Sequence, residues 1–294
     1  MAAPVFLLFS GHNDRAVVAL CRYFTRAGLP FAVVAAGRDD PILRTDHEAQ
    51  VRLVRTDPVV DLALLRAVGA LAASASGPLV YCPTTEYIND FVLRRRGELA
   101  GCGLQFGLPD GDIYARLTGK QSSQALMRQV AGVKVPRALP MDALRAPCVL
   151  KPIRNVDGGA VLYPLLCDSE AALQRALAGL DTRLYFAQEF VRGQSHYLCG
   201  YLARDGRHVT FWQENLMQQP RGKSIVLART GGNPGVDTDA LMSHLHRLGY
   251  HGPLMVEFIV GADGPYYIEV NPRFWGPLQL ALDACPALLD LYAR

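Results

Sequence analysis

The chain has 294 residues, of which 50% are hydrophobic and 19% are charged, a composition that suits a folded protein of one large or two to three small units. Its 30 basic and 27 acidic residues give a net charge of +3 and form no basic tract, so nothing indicates a nucleic-acid partner. The seven cysteines are dispersed without a C-x-x-C pair, which predicts reduced thiols in a cytoplasmic protein.

The sequence predicts no membrane partner. The apolar run Val5–Phe9 is too short for a signal peptide and has no basic region before it. The apolar stretch Val59–Ala73 is interrupted by Asp61 and Arg66, so we expect an amphipathic or buried helix there instead of a membrane span.

The first part of the chain alternates between strand and helix patterns. The predicted strands are Val5–Phe9, Phe31–Ala35, Val51–Val54 and Leu79–Cys82, and the predicted helices are Arg15–Thr25 and Asp61–Ala73. This succession predicts a parallel, doubly wound sheet. Ligands of such sheets bind beyond the carboxyl ends of the strands, where Ser10–Asn13 and Pro83–Glu86 lie. Substrate contact and plain structural turns both stay open for these two segments. No G-x-G-x-x-G follows the first strand, so a bound dinucleotide is not expected.

Two lysines and a glycine pair carry the next signal. Lys120 lies in the first turn of a predicted helix, where the helix dipole disfavours a cation unless an anion is held nearby. Lys151 lies on the apolar strand Cys148–Pro152, and a lysine on a buried strand needs an anionic partner. Gly158 and Gly159 follow, and glycines let backbone N–H groups approach phosphate oxygens closely. The pattern predicts a phosphate site; surface lysines and an ordinary hairpin are the alternatives.

Several further elements lead to the C-terminal region. The predicted helices are Ser169–Leu177 and Thr238–Leu248, and the predicted strands are Tyr185–Val191, Tyr197–Arg204, Val209–Glu214 and Ile225–Leu227. Asp205 and Gly206 between two of these strands predict a hairpin. Arg221, Lys223 and Arg229 indicate either a clamp for an acyl phosphate or carboxylate, or a solvated basic loop, which we favour slightly.

The segment Leu254–Gly276 predicts a second hairpin. Its strands would be Met255–Val260 and Tyr266–Val270, joined by the five-residue turn signal Gly261–Pro265. If Val260 faces Tyr266, then Glu257 faces Glu269, and Asn271 shares the face of Glu269. The opposite, apolar face would carry Val256, Phe258, Val260, Tyr266, Ile268 and Val270.

Two opposed carboxylates predict a bound cation. Like charges directly across a sheet destabilise it, so Glu257 and Glu269 at such positions indicate that a cation lies between them. With the carboxamide of Asn271 they provide three hard oxygen ligands, which suit Mg²⁺ or Mn²⁺ better than zinc. The alternative is a solvent-facing hairpin that carries two unrelated acids.

These residues resemble a known metal site. Glu257 on one strand and Glu269-Val270-Asn271-Pro272-Arg273 on the next resemble the metal-binding end of the ATP-grasp superfamily. Phe274-Trp275-Gly276 resembles its carboxylate–amine ligase branch, which includes proteins similar to carbamoyl-phosphate synthase and to D-aspartate ligase. The resemblance covers nearly the whole chain in motif order and is strongest from Lys151 to Gly276.

The resemblance implies an α/β fold of the α+β ATP-grasp type. It implies an N-terminal Rossmann-like parallel sheet over residues 1–115, followed by two α+β subdomains that clamp ATP. The central ATP-grasp subdomain would span residues 116–191. The C-terminal subdomain, with the metal site, would span residues 192–294.

The resemblance also implies which residues contact the cofactors. The implied nucleotide contacts are Lys120, Lys151, Gly158, Gly159, Glu189, Val191 and Ser195, and the implied metal ligands are Glu257, Glu269 and Asn271. The carboxylate of Glu189 and the backbone of Val191 would bind the adenine edge. Ser195 lies where the family often has a ribose-binding acid, and its hydroxyl binds a ribose less strongly than a carboxylate does.

The function that the resemblance implies is ATP-dependent ligation of a small-molecule carboxylate to an amine, with amino acids as the expected substrates. ATP and Mg²⁺ (or Mn²⁺) would act together, and Arg273 would stabilise the charge of an acyl phosphate. A homodimer stays open. Two other functions also stay open. One is a different ATP-grasp activation, such as bicarbonate phosphorylation. The other is a nucleotide-binding subunit with weak or no catalysis, which Ser195 and the short chain after Gly276 favour.

Overall fold

The computed structural model of the protein describes residues 3–56, 60–153, 156–157, 160–219 and 224–293. These residues form three main sheets, one two-stranded ribbon and the helices that pack on the sheets. Within the described ranges, no helix has both the length and the apolar character needed to cross a bilayer.

The N-terminal part folds as a parallel sheet. Its elements are β1 (Val5–Phe9), α1 (Asp14–Ala27), β2 (Phe31–Ala35), β3 (Val51–Val54), α2 (Leu62–Ser74), β4 (Leu79–Tyr81), α3 (Glu86–Arg94), α4 (Arg96–Gly101) and β5 (Leu104–Phe106). The strand order is β3-β2-β1-β4-β5, and every pairing is parallel. β1 and β2 are buried along most of their length, as expected for apolar strands covered on both faces. The doubly wound sheet that the sequence predicts is confirmed.

The turns after β1 and β4 lie side by side at the carboxyl edge of this sheet. Nδ2 of Asn13 donates to the carbonyl oxygen of Thr84 at 3.0 Å and to that of Phe274 at 3.3 Å. The hydroxyl of Thr85 caps α3 by accepting from the amide of Ile88 at 3.2 Å. The edge where doubly wound sheets bind ligands therefore faces the C-terminal part of the chain.

The central part is a smaller antiparallel sheet. Two helices lead into it, α5 (Gly111–Thr118) and α6 (Lys120–Met127). Its elements are β6 (Ala138–Leu139), β7 (Cys148–Pro152), β8 (Val156–Asp157), β9 (Ala160–Val161), β10 (Leu165–Cys167), α7 (Glu170–Ala178) and β11 (Tyr185–Glu189). The sheet order is β10-β7-β11-β6, while β8 and β9 form the ribbon. β7, α7 and β11 match predicted elements.

The C-terminal part is a five-stranded antiparallel sheet. Its elements are β12 (Gln194–Leu202), β13 (His208–Gln218), β14 (Ile225–Thr230), α8 (Thr238–Arg247), β15 (Gly252–Gly261), β16 (Gly264–Asn271), α9 (Leu278–Ala284) and α10 (Ala287–Tyr292). The strand order is β14-β13-β12-β15-β16. Both predicted hairpins are present, as β12–β13 and β15–β16.

The β15–β16 hairpin has a tighter turn than the sequence predicts. Gly261 pairs with Gly264, so the loop between the strands is short and both strands extend further towards it. Val260 consequently pairs with Pro265, and the predicted pairing of Val260 with Tyr266 is wrong. The prediction of a five-residue loop placed Gly261 and Gly264 outside the strands, whereas both glycines are paired strand residues.

A β-bulge corrects the register before the acidic pair. Phe258 pairs with Tyr267 and Glu257 pairs with Glu269, so Ile268 is the extra residue that has no partner across the hairpin. The predicted opposition of the two acids is therefore confirmed, although the predicted regular ladder towards the turn is wrong.

The bulge also changes which side chains enter the core. Tyr267 is fully buried, and its ring centroid lies 6.3 Å from that of Phe258, whereas Tyr266 and Ile268 are only partly buried. The predicted core positions Tyr266 and Ile268 are thus wrong, because one extra residue reverses the alternation of faces between the turn and the bulge.

One hydrophobic cluster joins the parallel sheet to the C-terminal sheet. It contains Phe6 from the parallel sheet together with Phe211 and Trp275 from the C-terminal part. Tyr292 of α10 lies between the two sheets, with its ring centroid 5.7 Å from that of Phe6 and 5.3 Å from that of Tyr201. The N-terminal and C-terminal parts therefore share a core.

The central part has a core of its own. Its hydrophobic cluster draws only on residues between positions 139 and 187. By contrast, Leu117 of α5 and Leu126 of α6 belong to a cluster that includes the C-terminal sheet. The predicted domain limits at residues 115 and 191 stay a prediction.

Candidate active site

The site is built around two acids on neighbouring strands. Glu257 of β15 and Glu269 of β16 form a cross-strand pair, and both are half-buried. Burial and, to a smaller extent, the negative charge of Glu269 raise the pKa of the Glu257 carboxyl from 4.5 to about 7, while the Lys151 ammonium and hydrogen bonds from Ser195 and Gln218 oppose the shift. Two carboxylates in this arrangement repel each other, and a cation between them would remove the repulsion.

Lys151 reaches this pair from the central part of the chain. Its side chain on β7 is only 4% exposed, and Nζ donates to the carbonyl oxygen of Ile268 at 3.2 Å. That carbonyl belongs to the bulged residue of β16. Burial lowers the pKa of the Lys151 ammonium, and the charges of Glu269 and Glu257 counteract the effect. The two acids thus act on this lysine electrostatically, and its predicted contact with phosphate stays a prediction.

Lys120 approaches from the first residue of α6. It is 7% exposed, and burial together with the charge of Lys151 lowers the pKa of its ammonium, against the opposing influence of Glu269 and Glu86. Both predicted phosphate lysines thus lie within electrostatic range of the same acid. Two buried ammonium groups beside two half-buried carboxylates form a site suited to phosphates with a divalent cation.

Asn271 and Arg273 extend the site along β16. Nδ2 of Asn271 donates to Oε1 of Glu269 at 3.0 Å, and Nη2 of Arg273 donates to Oδ1 of Asn271 at 3.0 Å. Nη1 of Arg273 donates to the carbonyl oxygen of Phe274 at 3.1 Å, which fixes the guanidinium beside the acids. The three predicted metal ligands therefore lie together. Oδ1 of Asn271 already accepts one hydrogen bond and has a second lone pair for a metal.

Ser195 lies against one of the acids. Its hydroxyl donates to Oε1 of Glu257 at 3.1 Å and accepts from Nδ2 of Asn215 at 2.9 Å. Neither Asn215 nor Gln213 behind it was predicted as a site residue, because their contacts depend on the register between β12 and β13. The predicted ribose contact of Ser195 stays a prediction.

The predicted adenine-binding residues lie where β11 ends. The amide of Glu189 donates to the carbonyl oxygen of Arg137 at 2.9 Å, and the amide of Arg137 donates back to Oε1 of Glu189 at 2.8 Å. Val191 follows the strand and is half-buried. Contact of Glu189 and Val191 with a base stays a prediction. Gly158 and Gly159, predicted to cover the phosphates, lie outside the described residues, as do Arg221 and Lys223.

A polar cavity of about 260 Å³ lies beside the acids, between the parallel sheet and the C-terminal part. Its lining includes His12, Arg15, Glu86, Tyr197 and Arg273. It opens at the carboxyl edge of β1 and β4, where the sequence left substrate contact open. Arg15 and Tyr197 were not predicted as site residues, since neither belongs to a recognisable motif.

Arg15 is fixed on one wall of this cavity. Its Nη1 donates to the carbonyl oxygen of Ile225 at 2.7 Å, and its Nη2 donates to the hydroxyl of Ser224 at 2.7 Å. The guanidinium packs against Gly276, where an added Cβ would come within 2.6 Å of Nη2. Arg15 and Arg273 give the cavity a positive character that suits an anionic ligand.

The residues at the acidic pair fit a divalent cation. Two carboxylates and a carboxamide oxygen are hard donors, and they converge where the carboxylates are otherwise in repulsion. Among the described residues no group of three or more His, Cys, Asp or Glu side chains could hold a metal ion. A soft transition-metal site is therefore not formed by the described part of the chain, whereas two acids with phosphate oxygens and water suit Mg²⁺.

The fold is similar to those of several solved enzymes. Pyruvate carboxylase from Rhizobium etli, solved with acetyl coenzyme A, has a TM-score of 0.66 at 18% identity, over 96% of this chain and 27% of that one. The biotin carboxylase domain of 2-oxoglutarate carboxylase from Hydrogenobacter thermophilus, solved as a dimer with MgADP and bicarbonate, has a TM-score of 0.63 at 15% identity, over 92% and 64%.

A third similar structure is the ADP complex of PurK, N5-carboxyaminoimidazole ribonucleotide synthetase. It has a TM-score of 0.65 at 16% identity, over 93% of this chain and 71% of that one. The chain thus spans about a quarter to about seven tenths of the length of these three structures. No protein-family model matches the chain, and no curated protein matches its sequence. With this topology and these structural neighbours, the chain has the fold of the biotin carboxylase domain and of PurK.

Proposed function

We propose that the protein is an ATP- and Mg²⁺-dependent ligase that joins a small organic carboxylate to an amine. The observation that carries this proposal is the opposition of Glu257 and Glu269 within electrostatic range of two buried lysines. Two of the three neighbouring structures were solved with ADP or MgADP, which supports a nucleotide at the corresponding place. Amino acids are the substrates that we propose for both the acid and the amine.

Each group in the proposed site has a distinct task. Lys120 and Lys151 bind the phosphates of ATP, and the sequence adds Gly158 and Gly159, outside the described residues, as further phosphate contacts. Glu257, Glu269 and Asn271 hold Mg²⁺, which when bound neutralises phosphate charge and orients the γ-phosphate.

The proposed contacts with adenine and ribose come from residues that lie between Lys151 and Glu257 in the sequence. Glu189 and Val191 bind the adenine edge. The hydroxyl of Ser195 lies on the ribose side of the site while it also contacts Glu257.

The chemistry proceeds in two displacements. A carboxylate oxygen of the substrate attacks the γ-phosphorus; the bond between this phosphorus and the bridging oxygen breaks, and ADP leaves. Arg273 lies beside the acids and the cavity, so its guanidinium stabilises the acyl phosphate that forms. The amine nitrogen then attacks the acyl carbon, phosphate departs with the acyl oxygen, and the nitrogen loses its proton to solvent. No side-chain nucleophile is needed.

The size of the cavity favours an organic acid over bicarbonate. The cavity of about 260 Å³ is open to solvent and has room for a molecule much larger than bicarbonate. A substrate of amino-acid size fits in it with its carboxylate beside Arg273. Bicarbonate phosphorylation is the second candidate, because a neighbouring structure was solved with bicarbonate.

ADP release in the presence of single amino acids, amino-acid pairs and bicarbonate tests the proposal. We expect ADP formation that requires an organic acid and an amine together, and its loss in Glu269→Ala. Release sustained by bicarbonate alone would establish the second candidate. Binding of Mg²⁺ and ATP without ADP formation in any mixture would identify a nucleotide-binding subunit. Full turnover in Glu269→Ala would show that the site is placed wrongly.

A further inference from the structure

A chain of hydrogen bonds ends on one of the two acids. Nε2 of Gln213 donates to Oδ1 of Asn215 at 2.7 Å, Nδ2 of Asn215 donates to the hydroxyl of Ser195 at 2.9 Å, and that hydroxyl donates to Oε1 of Glu257 at 3.1 Å. Gln213 is fully buried and Asn215 is 3% exposed. Buried carboxamides lose stability unless their hydrogen-bonding groups are paired, so this arrangement is a specific one.

The carboxylate of Glu257 sets which group donates and which accepts in every hydrogen bond of this network. In the ionised form that binds a cation, the carboxylate of Glu257 only accepts hydrogen bonds, so the hydroxyl of Ser195 must donate to it. The hydroxyl oxygen then accepts, which turns the NH₂ group of Asn215 towards it and the carbonyl of Asn215 towards Gln213. At the other end of the network, Oε1 of Gln213 accepts from the thiol of Cys199, a weak donor 3.9 Å away. The side chain of Gln213 is therefore oriented with its Nε2 towards Asn215.

The backbone supports the same arrangement. Nε2 of Gln194 donates to the carbonyl oxygen of Asn215, immediately before the pairing of β13 with β14 shifts register. Gln218 adds a long contact, with its Nε2 3.5 Å from the hydroxyl oxygen of Ser195. Asn215 is therefore held by its side chain and its main chain in the one position from which it can reach Ser195.

Each acid has one oxygen held by a neighbour on the protein. Oε1 of Glu257 accepts from Ser195, and Oε1 of Glu269 accepts from Asn271. The side chain of Gln218 is a further hydrogen-bond partner of Glu257. The protein thus holds Oε1 of each carboxylate, which fixes how the two groups are oriented towards each other across the hairpin.

We propose that Gln213, Asn215 and Ser195 are positioning residues that hold Oε1 of Glu257 and so fix the orientation in which this carboxylate binds a divalent cation. The proposal rests on the proposed function only in that this cation is the one that accompanies ATP. Outer partners of metal ligands orient them, and their removal weakens metal binding about 10- to 100-fold. Buried networks of this kind are sensitive to each member, because one reversed donor disrupts the rest.

Binding of Mn²⁺ to the full chain, measured by electron paramagnetic resonance with and without a non-hydrolysable ATP analogue, tests this inference. We expect Ser195→Ala to raise the Mn²⁺ Kd about 10- to 100-fold. Ser195→Thr keeps the hydroxyl and should restore the wild-type Kd. Asn215→Asp has the same shape but faces Ser195 with an acceptor, so it should weaken Mn²⁺ binding as Ser195→Ala does. Ser74→Ala, the same substitution at the exposed end of α2, should change nothing.

The outcomes separate this inference from the proposed function. If Ser195→Ala keeps the wild-type Mn²⁺ Kd and a native melting curve, the positioning role is refuted, while the metal site stands. If the wild-type chain binds no Mn²⁺ with the ATP analogue, the metal site and the positioning role both fail. If Mn²⁺ binding weakens as expected and no mixture of substrates releases ADP, the inference holds and the ligase proposal fails.

Discussion

Lys151 donates a hydrogen bond from Nζ to the carbonyl oxygen of Ile268, the one residue of β16 that the bulge leaves without a partner across the hairpin. The bulge therefore performs two tasks. It returns Glu269 to its place opposite Glu257, and it turns a main-chain carbonyl towards a lysine of another sheet.

Replacement of this lysine tests its proposed contact with phosphate. We expect Lys151→Met to weaken binding of a non-hydrolysable ATP analogue at least about tenfold, which corresponds to about 1.4 kcal/mol, because a buried cation is lost beside the phosphates. Isothermal titration calorimetry measures this directly. Lys134→Met is the matched control, since Nζ of Lys134 contacts the half-exposed Asp263 and the Tyr266 ring near the hairpin turn and should not affect ATP. Equal affinities for the two variants would contradict the assignment.

The acidic pair predicts a pH dependence of stability in the absence of divalent ions. The pKa of Glu257 is raised from 4.5 to about 7 in the folded protein. Between these values the unfolded chain loses this proton while the folded protein keeps it, so the free energy of unfolding falls as the pH rises through this window and levels off above it. Urea titrations with EDTA from about pH 5 to about pH 8 should show a decline from this group of about 2–3 kcal/mol.

Glu257→Gln isolates that contribution. The carboxamide does not titrate, so the variant should lack this part of the decline and become the more stable protein near pH 8. Mg²⁺ with an ATP analogue should instead stabilise the wild type more as the pH rises, because metal binding requires the ionised carboxylate. Parallel stability curves for the two proteins would contradict the raised pKa.

The close packing around Gly193, between β11 and β12, leaves no space for a side chain. A Cβ at this position would lie 2.1 Å from the carbonyl oxygen of Val260, a main-chain atom that cannot move away cheaply. We expect Gly193→Ala to reduce the free energy of unfolding by about 2–3 kcal/mol. Gly97→Ala in α4 is the control, because an added Cβ there has no atom within 4 Å. Its free energy of unfolding should be unchanged or slightly higher. Thermal denaturation of both variants compares them, and equal melting temperatures would contradict the close approach.

Replacement of Gly276 should weaken binding of the carboxylate substrate without affecting binding of ATP. A Cβ there would lie 2.6 Å from Nη2 of Arg15 and would push the guanidinium away from Ser224. With the acid that the ADP-release screen identifies, Gly276→Ala should raise KM for that acid about tenfold and leave KM for ATP unchanged. Gly232→Ala, where nothing lies within 4 Å, is the control. An effect on ATP alone would show that the cavity does not hold the acid.

The sequence predicted those features that follow from local pattern. Continuous apolar runs identified β1 and β2 because both faces of a parallel sheet are covered. The spacing of the two acids identified their opposition, since a cross-strand pair needs only the correct pairing at that point. Short strands such as β6, with two residues, carry too little pattern to be recognised.

The features that it could not predict depend on geometry across strands. The bulge at Ile268 shifts the ladder by one residue, and a single sequence does not show where an extra residue leaves the sheet. The contact of Asn215 with Ser195 likewise depends on how β13 pairs with β12. Arg15 lies far from the acids in sequence and enters the site only because the N-terminal sheet packs on the C-terminal one.

The separate core of the central part has a consequence for how the two proposed ligand sites would respond to mutation. Lys151 belongs to that part, whereas Lys120 and both acids belong to the rest, so the proposed nucleotide site depends on two separately packed cores. The described walls of the 260 Å³ cavity belong to the jointly packed N-terminal and C-terminal parts. A substitution that loosens the core of the central part should therefore weaken binding of the nucleotide and leave the lining of the cavity intact.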